Sequence, residues 1–220
     1  MALFKLEDVK FESRAKELIH GISMEIEKGC VVSLAGKSGS GKSTLLKLIA
    51  GLLVPSGGHV YFDGRDIQHM TKAENLDFRR RASYVFQDSA LWENQTVLQN
   101  LELPLLTHQK NLSPDERMTL IEDVCHKVNY TRPLNLRPAD LSRGEQKLVA
   151  FARAIINRPE VLFLDDCTES LDRKRMVNIM DLLSEFVQKK NTIVYITHDS
   201  SFITAFPGTV YFLEEGLITE

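Results

Sequence analysis

The sequence predicts an α/β fold with a parallel-sheet core, on three observations. "VVSLA" (31–35), "VLFLD" (161–165) and "TIVYIT" (192–197) are short, nearly continuous apolar runs, the pattern of strands buried on both faces. Between the last two, Met176, Ile179, Met180, Leu183 and Val187 fall on one helical face, suited to a helix that crosses from one strand to the next. The stretch 88–156 reads as a helical lobe inserted into a core formed by 1–87 and 157–220.

Taken in chain order, the early segments "LFKLEDVKF" (3–11) and "HVYFDG" (59–64) alternate, and the second closes on the turn pair Asp63-Gly64. Arg79-Arg80-Arg81 reads as a solvated helix end. "SPDE" (113–116) is a capping box, with Ser as N-cap, Pro at the first helical position and Glu three residues on. Leu120, Ile121, Val124, Cys125 and Val128 follow it at helical spacing.

The 220 residues suffice for one well-buried domain. A net charge of −3 gives no general attraction to nucleic acid or anionic membrane. Cys30, Cys125 and Cys167 are odd in number and far apart, which argues for reduced thiols in a cytosolic setting and against a zinc or disulfide frame. The opening MALFKLEDVKFE carries charge too early for a secretory signal. The longest apolar stretch, around Leu45 to Val54, is interrupted by Lys47 and falls short of the ~20 residues that span a bilayer. Work at a membrane would need a partner that does the spanning.

Gly36-Lys37-Ser38-Gly39-Ser40-Gly41-Lys42-Ser43, followed by Thr44, fits G-x-x-x-x-G-K-[ST] between an apolar strand and an apolar helix. Glycines let successive N–H groups converge on phosphate oxygens, and the helix adds its positive end. The loop is therefore expected to hold a nucleoside triphosphate, with Lys42 on the β- and γ-phosphates and Ser43 on Mg²⁺. Asp165, ending a run of four apolar residues, is placed to anchor Mg²⁺. Asp166 is next in line to orient or deprotonate the attacking water.

"LSRGEQKLVAFARAI" (141–155) resembles the signature segment of ATP-binding-cassette ATPases, usually LSGGQ followed by a helix. The order of the glycine loop, Gln87, the signature, Asp165, "ESLD" (169–172) and His198 agrees with that family along essentially the whole chain. The resemblance implies a P-loop, RecA-like core with an N-terminal antiparallel β subdomain, binding ATP with Mg²⁺. It implies that Gln87 contacts Mg²⁺ and links core to lobe, that His198 contacts the γ-phosphate, and that Asp172 communicates between subunits. Ser142 and Gly144 would contact ATP held by a second copy in a head-to-tail homodimer. The implied partners are transmembrane permease subunits, with the chain peripheral on the cytoplasmic face of the inner membrane and no nucleic acid bound.

Three departures from the family pattern carry expectations. Asp166 stands where the family has Glu; it is shorter by ~1.5 Å, and a misplacement of ~1 Å can cost ~100-fold in rate, so hydrolysis is expected to be slow. Arg143 and Glu145 replace the Gly and Gln of the signature. Ser142 and Glu145 also read as a capping box, and Arg143 can offset the Glu145 charge near a phosphate. Where the family stacks adenine on an aromatic, this chain has Ser13 beside Arg14, while Phe11 reads as strand core; Arg14 is the candidate to stack on the base.

Ser89, Ala90, Leu91 and Trp92, just after Gln87, form an apolar patch, read either as a partner contact or as lobe core. The "SALW…TV..N..LPL" pattern resembles the ATPases of Mce/Mla-type phospholipid transporters, and also those of lipoprotein-release and cell-division complexes. A soluble non-transport cassette ATPase is the other function class. Its usual tandem cassettes, coiled-coil inserts and basic stripes do not occur here.

Overall fold

In the computed structural model, which describes residues 2–13 and 16–219, the alternating N-terminal segments form an antiparallel sheet. Strands β1 (Ala2–Ser13) and β2 (Lys16–Glu27) pair first. The chain then passes through β3 (Val31–Gly36) and helix α1 (Lys42–Ile49) before returning as β4 (Gly57–Phe62) and the short β5 (Arg65–Asp66). The order is β2-β1-β4-β5, with Phe4 opposite Phe62 and Leu6 opposite Val60. Asp63 (φ 53°) and Gly64 (φ 77°) close the β4–β5 hairpin, the double positive φ that matches strand twist.

The second sheet has the order β10-β9-β3-β8-β7-β6, completed by β6 (Ala82–Val85), β7 (Val161–Asp165), β8 (Thr192–Ile196), β9 (Thr209–Glu214) and β10 (Leu217–Thr219). Its ladders are parallel except β9–β10. The three apolar runs are its adjacent strands β3, β8 and β7. Their continuity has a direct cause. Val161 and Phe163 join the core shared with the first sheet, whereas Leu162 and Leu164 join the core under the helices. Phe163 also meets Phe4 edge-on at 5.6 Å between centroids, and each fully buried side chain of this size contributes ~1.5–3 kcal/mol.

Helix α2 (Lys72–Arg81) carries the triple arginine, and the solvated reading of it is corrected here. Arg79 donates to the Ala50 and Gly51 carbonyls, capping the chain as it leaves α1. Arg81 lies over the Phe62 ring at 4.6 Å and pairs with Glu160. Only Arg80 keeps a mostly local role, bonding Asp77 one turn back. An arginine's planar head satisfies carbonyls and stacks on rings, so the run pins α2 to both sheets.

Helices α3 (Val97–His108), α4 (Pro114–Lys127) and α5 (Arg143–Ile155) pack together through Leu101, Leu105, Ile121, Val124, Val128 and Val149. The capping box at Ser113 and Glu116 forms as expected. Helix α6 (Arg173–Gln188) crosses from β7 to β8 with Ile179 and Leu183 fully buried, and α7 (Ser200–Ala205) follows β8.

Candidate nucleotide-binding site

The glycine loop sits between the end of β3 and α1, and its backbone shows why those glycines are there. Gly36 has φ 140°, and a Cβ there would lie 2.2 Å from the Leu213 carbonyl oxygen. Gly41, the N-cap of α1, has φ 102° and backs onto Leu18 and Ile19. A Cβ on Gly39 would meet nothing within 4 Å. The loop is thus packed tightly on the protein side and open on the other. Lys42 spans it, donating Nζ to the Gly36 and Lys37 carbonyls at 2.8 and 2.7 Å; burial lowers its pKa, against the pull of Asp166 and Asp165. Lys37, Ser38 and Gly39 are exposed, Ser40 is buried with its hydroxyl unpartnered, and Thr44 is half-buried as the third residue of α1.

Among the described residues, α1 is the one of seven α-helices with no side-chain N-cap. Thr71, Thr96, Ser113, Ser142, Asp172 and Asp199 cap the others. The first N–H groups of a helix need an acceptor. At α1, among the described residues, no side chain caps them, and Gly39 and Gly41 precede them.

Ser43 Oγ donates to Asp165 Oδ1 at 2.9 Å, and Asp165 Oδ2 accepts from Tyr84 Oη at 2.8 Å. The Ser43 and Asp165 oxygens are hard donors, and neighbouring ligands of an octahedral Mg²⁺ at 2.0–2.1 Å stand about 2.9 Å apart. These residues fit the ion, with Tyr84 orienting the carboxylate. Burial raises the Tyr84 pKa, helped by Asp165, so the phenol stays a donor. Tyr84 was not foreseen. Its signal was a tyrosine in β6 level with Phe163 of β7.

Asp166 follows with φ 45°, its backbone N–H donating to the Ile196 carbonyl at 2.9 Å. That bond ties the end of β7 to the end of β8 and brings His198 alongside. The Asp166 carboxyl accepts from the His198 backbone N–H; burial raises its pKa, His198 lowers it, and Glu169 and Asp165 raise it further. Gln87, exposed after β6, donates Nε2 to Glu169 Oε2 at 3.3 Å. Ser43, Asp165, Gln87, Glu169, Arg143 and Lys147 all line one cleft of about 600 Å³.

Lys147 is the second residue that sequence reasoning passed over. It lies in α5, 3% exposed, and donates to the main-chain oxygens of Phe86 and Gln87. Burial lowers its pKa. From the same helix Arg153 donates to the Ser89 carbonyl at 3.1 Å. Six residues place Lys147 and Arg153 about 120° apart around the helix, so no single face of α5 marked them in the sequence. Together they hold a loop in which Ser89 and Ala90 both have positive φ. The expected patch 89–92 divides accordingly. Ser89 and Leu91 are buried, whereas Trp92 is 52% exposed, which removes its alternative reading as lobe core.

The signature residues occupy the start of α5. Ser142 and Glu145 form the anticipated capping box, with Glu145 Oε2 accepting from Ser142 N and Oγ at 2.8 and 2.9 Å. Gly144 is buried against its own chain, where a Cβ would come 3.1 Å from the Ser170 carbonyl and from Arg175. Asp172 caps α6 and accepts from Arg175 Nη1 at 2.8 Å. Phe11 packs at the edge of the core beneath the first sheet and Ser13 is exposed; Arg14 lies outside the described residues.

Residues 19–169 match the model of the ABC transporter family. The chain belongs to that family. This ABC chain is 35% identical over 191 residues to the lipoprotein-releasing system ATP-binding protein LolD of Buchnera aphidicola, covering 86% of this chain and 82% of that one. It is 32% identical over 229 residues to the octopine permease ATP-binding protein P of Agrobacterium tumefaciens, covering 98% and 86%. Among solved structures it resembles a dimeric ATP-binding cassette in a post-hydrolysis state bound to ADP and Pi, with TM-score 0.90, 31% identity and coverage of 99% and 97%. The mixed α/β cassette fold expected from the sequence is the one found. Among the described residues no helix is long and apolar enough to cross a membrane.

Proposed function

We propose that this chain is the ATP-hydrolysing, energy-coupling subunit of an ABC transporter, peripheral on the cytoplasmic face of the inner membrane and working as a head-to-tail homodimer. The observation that carries the reading is the uncapped N-terminus of α1 beneath a glycine loop open on one side, set beside the Ser43–Asp165 pair. The N–H groups after Gly36 and the Lys42 ammonium bind the β- and γ-phosphates. Ser43, Asp165 and Gln87 would hold Mg²⁺, which when bound neutralises charge on those phosphate oxygens. Asp166 takes the proton of the attacking water, and His198 beside it contacts the γ-phosphate. Residues 88–156 act as the lobe that relays nucleotide state from Gln87 through α5. Ser142, exposed at the tip of α5, approaches the nucleotide of the second copy, a reading in keeping with a similar cassette being dimeric and bound to ADP and Pi.

The cargo reading is narrower. Trp92 stands exposed on the loop that Lys147 and Arg153 hold, a rigid aromatic suited to anchor a permease. The segment's resemblance to Mce/Mla-type ATPases, with the likeness to LolD, favours a lipid-handling permease. Calorimetry with Mg-ATP tests the first reading. Wild type should bind and Lys42→Ala should not; equal binding by both would overturn it. Photo-crosslinking from position 92 in native membranes tests the second, since capture of an integral-membrane permease is required.

A further inference from the structure

Two imidazoles meet one carboxylate oxygen on the β4–β5 hairpin, among residues none of which lines the nucleotide cleft. His59 Nδ1 lies 2.7 Å and His69 Nδ1 2.8 Å from Asp66 Oδ2, and the three donor atoms are all within 4.8 Å of one another. The backbone assembles them. His59 is in β4, the Asp63-Gly64 turn folds Asp66 of β5 back beside it, and His69 ends the single 3-10 turn Ile67–His69 that Asp66 caps. Asp66 is the fixed member, its side chain 15% exposed and its Oδ1 accepting from the Gln68 N–H at 3.0 Å. Oδ2 is left to the two rings.

We propose that His59, Asp66 and His69 form a binding site for a first-row transition ion, Zn²⁺ foremost. Two imidazoles and one carboxylate are the donors such ions select, whereas Mg²⁺ and Ca²⁺ take oxygen sets. Zinc bonds of ~2.0–2.1 Å place tetrahedral donors about 3.3 Å apart. The rings therefore move outward by about half an ångström, which their exposed positions permit (48% and 73%). In the ion-free form each Nδ1–H donates to Oδ2. On binding, each ring carries its hydrogen on Nε2 and gives the Nδ1 lone pair to the metal, so no proton need leave. The bond from Gln68 N–H supplies the outer-shell support that metal-bound carboxylates use. Three protein donors leave a position for water. The bound ion ties the 3-10 turn to β4.

The test uses the full chain, free of any affinity tag and of nucleotide. Co²⁺ is titrated by visible absorbance and Zn²⁺ by calorimetry. One equivalent should bind, with Co²⁺ giving the visible bands of a low-symmetry site and Zn²⁺ raising Tm. Loss of an outer-shell partner alone costs ~10- to 100-fold in affinity, so His69→Gln should weaken binding at least that much and His59→Gln/His69→Gln should abolish it. Metal-free Tm of the variants checks that the hairpin still folds. Absence of binding by the wild type, or equal binding by the double variant, overturns the proposal. Loss of zinc binding in Asp165→Asn also overturns it, by placing the ion in the nucleotide cleft instead.

Discussion

The buried ammonium of Lys147 donates to the main-chain oxygen of Gln87, so the helix that begins at the signature holds the loop that carries Gln87. A side-chain cation reaching two successive carbonyls, those of Phe86 and Gln87, fixes backbone rather than side chain. Gln87 Nε2 is left free to answer to Glu169.

Lys147→Met fills a similar volume without the donor. Hydrogen bonds to charged groups contribute ~1.5–3 kcal/mol, and relief of lysine desolvation offsets part of the loss, so a net destabilisation of about 1–2 kcal/mol is expected. The more telling result is local. Amide exchange in 86–90 should accelerate while that of β7 and β8 does not. Uniform acceleration across the chain would mean that Lys147 acts on global stability alone.

Gly36 and Gly39 have different reasons to be glycine, and alanine separates them. At Gly36 the added carbon collides with the Leu213 carbonyl oxygen at 2.2 Å, so Gly36→Ala must displace the loop from β9. Its ATP binding should fall at least tenfold and its Tm should drop. At Gly39 the space is open and the cost is the φ of 79° alone, about 1 kcal/mol. Gly39→Ala should keep its fold and lose less binding than Gly36→Ala. Calorimetry and thermal unfolding read both.

Much of this was legible because it depends on local pattern. The strands of the parallel core declare themselves because both faces are buried, and the capping boxes at Ser113 and Ser142 need only four residues each. Strands β9 and β10 were not anticipated. They lie at the sheet edge with Val210, Phe212 and Leu217 about half exposed, so no continuous apolar run marks them. The triple arginine misled for a related reason, since its ring and carbonyl partners are remote in sequence. Lys147 and Tyr84 share that difficulty. A polar group buried against a distant loop leaves no periodic trace, and its partner is set by topology.

Acid should unfold the chain partly through Glu160. Burial raises its pKa, but hydrogen bonds from Arg81 and Lys28 prevail and hold the carboxyl below its ordinary value of 4.5. Glu145, held low first by the Ser142 N–H, and Glu116, by the Ser113 N–H, act in the same sense. A depressed folded-state pKa stabilises at pH above the unfolded value and loses that contribution as pH falls through the folded one. Urea midpoints should therefore be flat near neutrality and decline below about pH 4.5. Glu160→Gln should cost ~1 kcal/mol at pH 7 for a partly exposed pair and show a shallower decline. A parallel curve would dissociate Glu160 from the acid limb.

Arg143→Ala addresses the altered signature. Arg143 is exposed at the first turn of α5 and lines the cleft that also holds Ser43 and Asp165, while the Glu145 carboxylate is occupied by the Ser142 cap. Among the described residues no carboxylate pairs with Arg143, which leaves its guanidinium available to a phosphate. Its loss should weaken ATP-driven dimerisation, read by light scattering, more than ATP binding to the monomer, read by calorimetry. Equal losses would assign Arg143 to the nucleotide of its own chain.

The carboxylate at 166 sets the pace of hydrolysis if its reach is what limits it. The backbone there cannot compensate for a short side chain, because the Asp166 N–H is bonded to the Ile196 carbonyl. Lengthening by one methylene advances the carboxylate by ~1.5 Å, and errors of ~1 Å cost ~100-fold. Asp166→Glu should therefore raise steady-state phosphate release at saturating Mg-ATP by about tenfold or more, with ATP affinity little changed. The gain carries a structural cost. Asp tolerates the positive φ of 45° better than Glu does, so the variant should melt a few degrees lower. Faster turnover together with lower Tm is the expected pair. Unchanged turnover, with Asp166→Asn as active as the wild type, would remove Asp166 from the chemistry and leave its carboxylate as a tie to the His198 backbone.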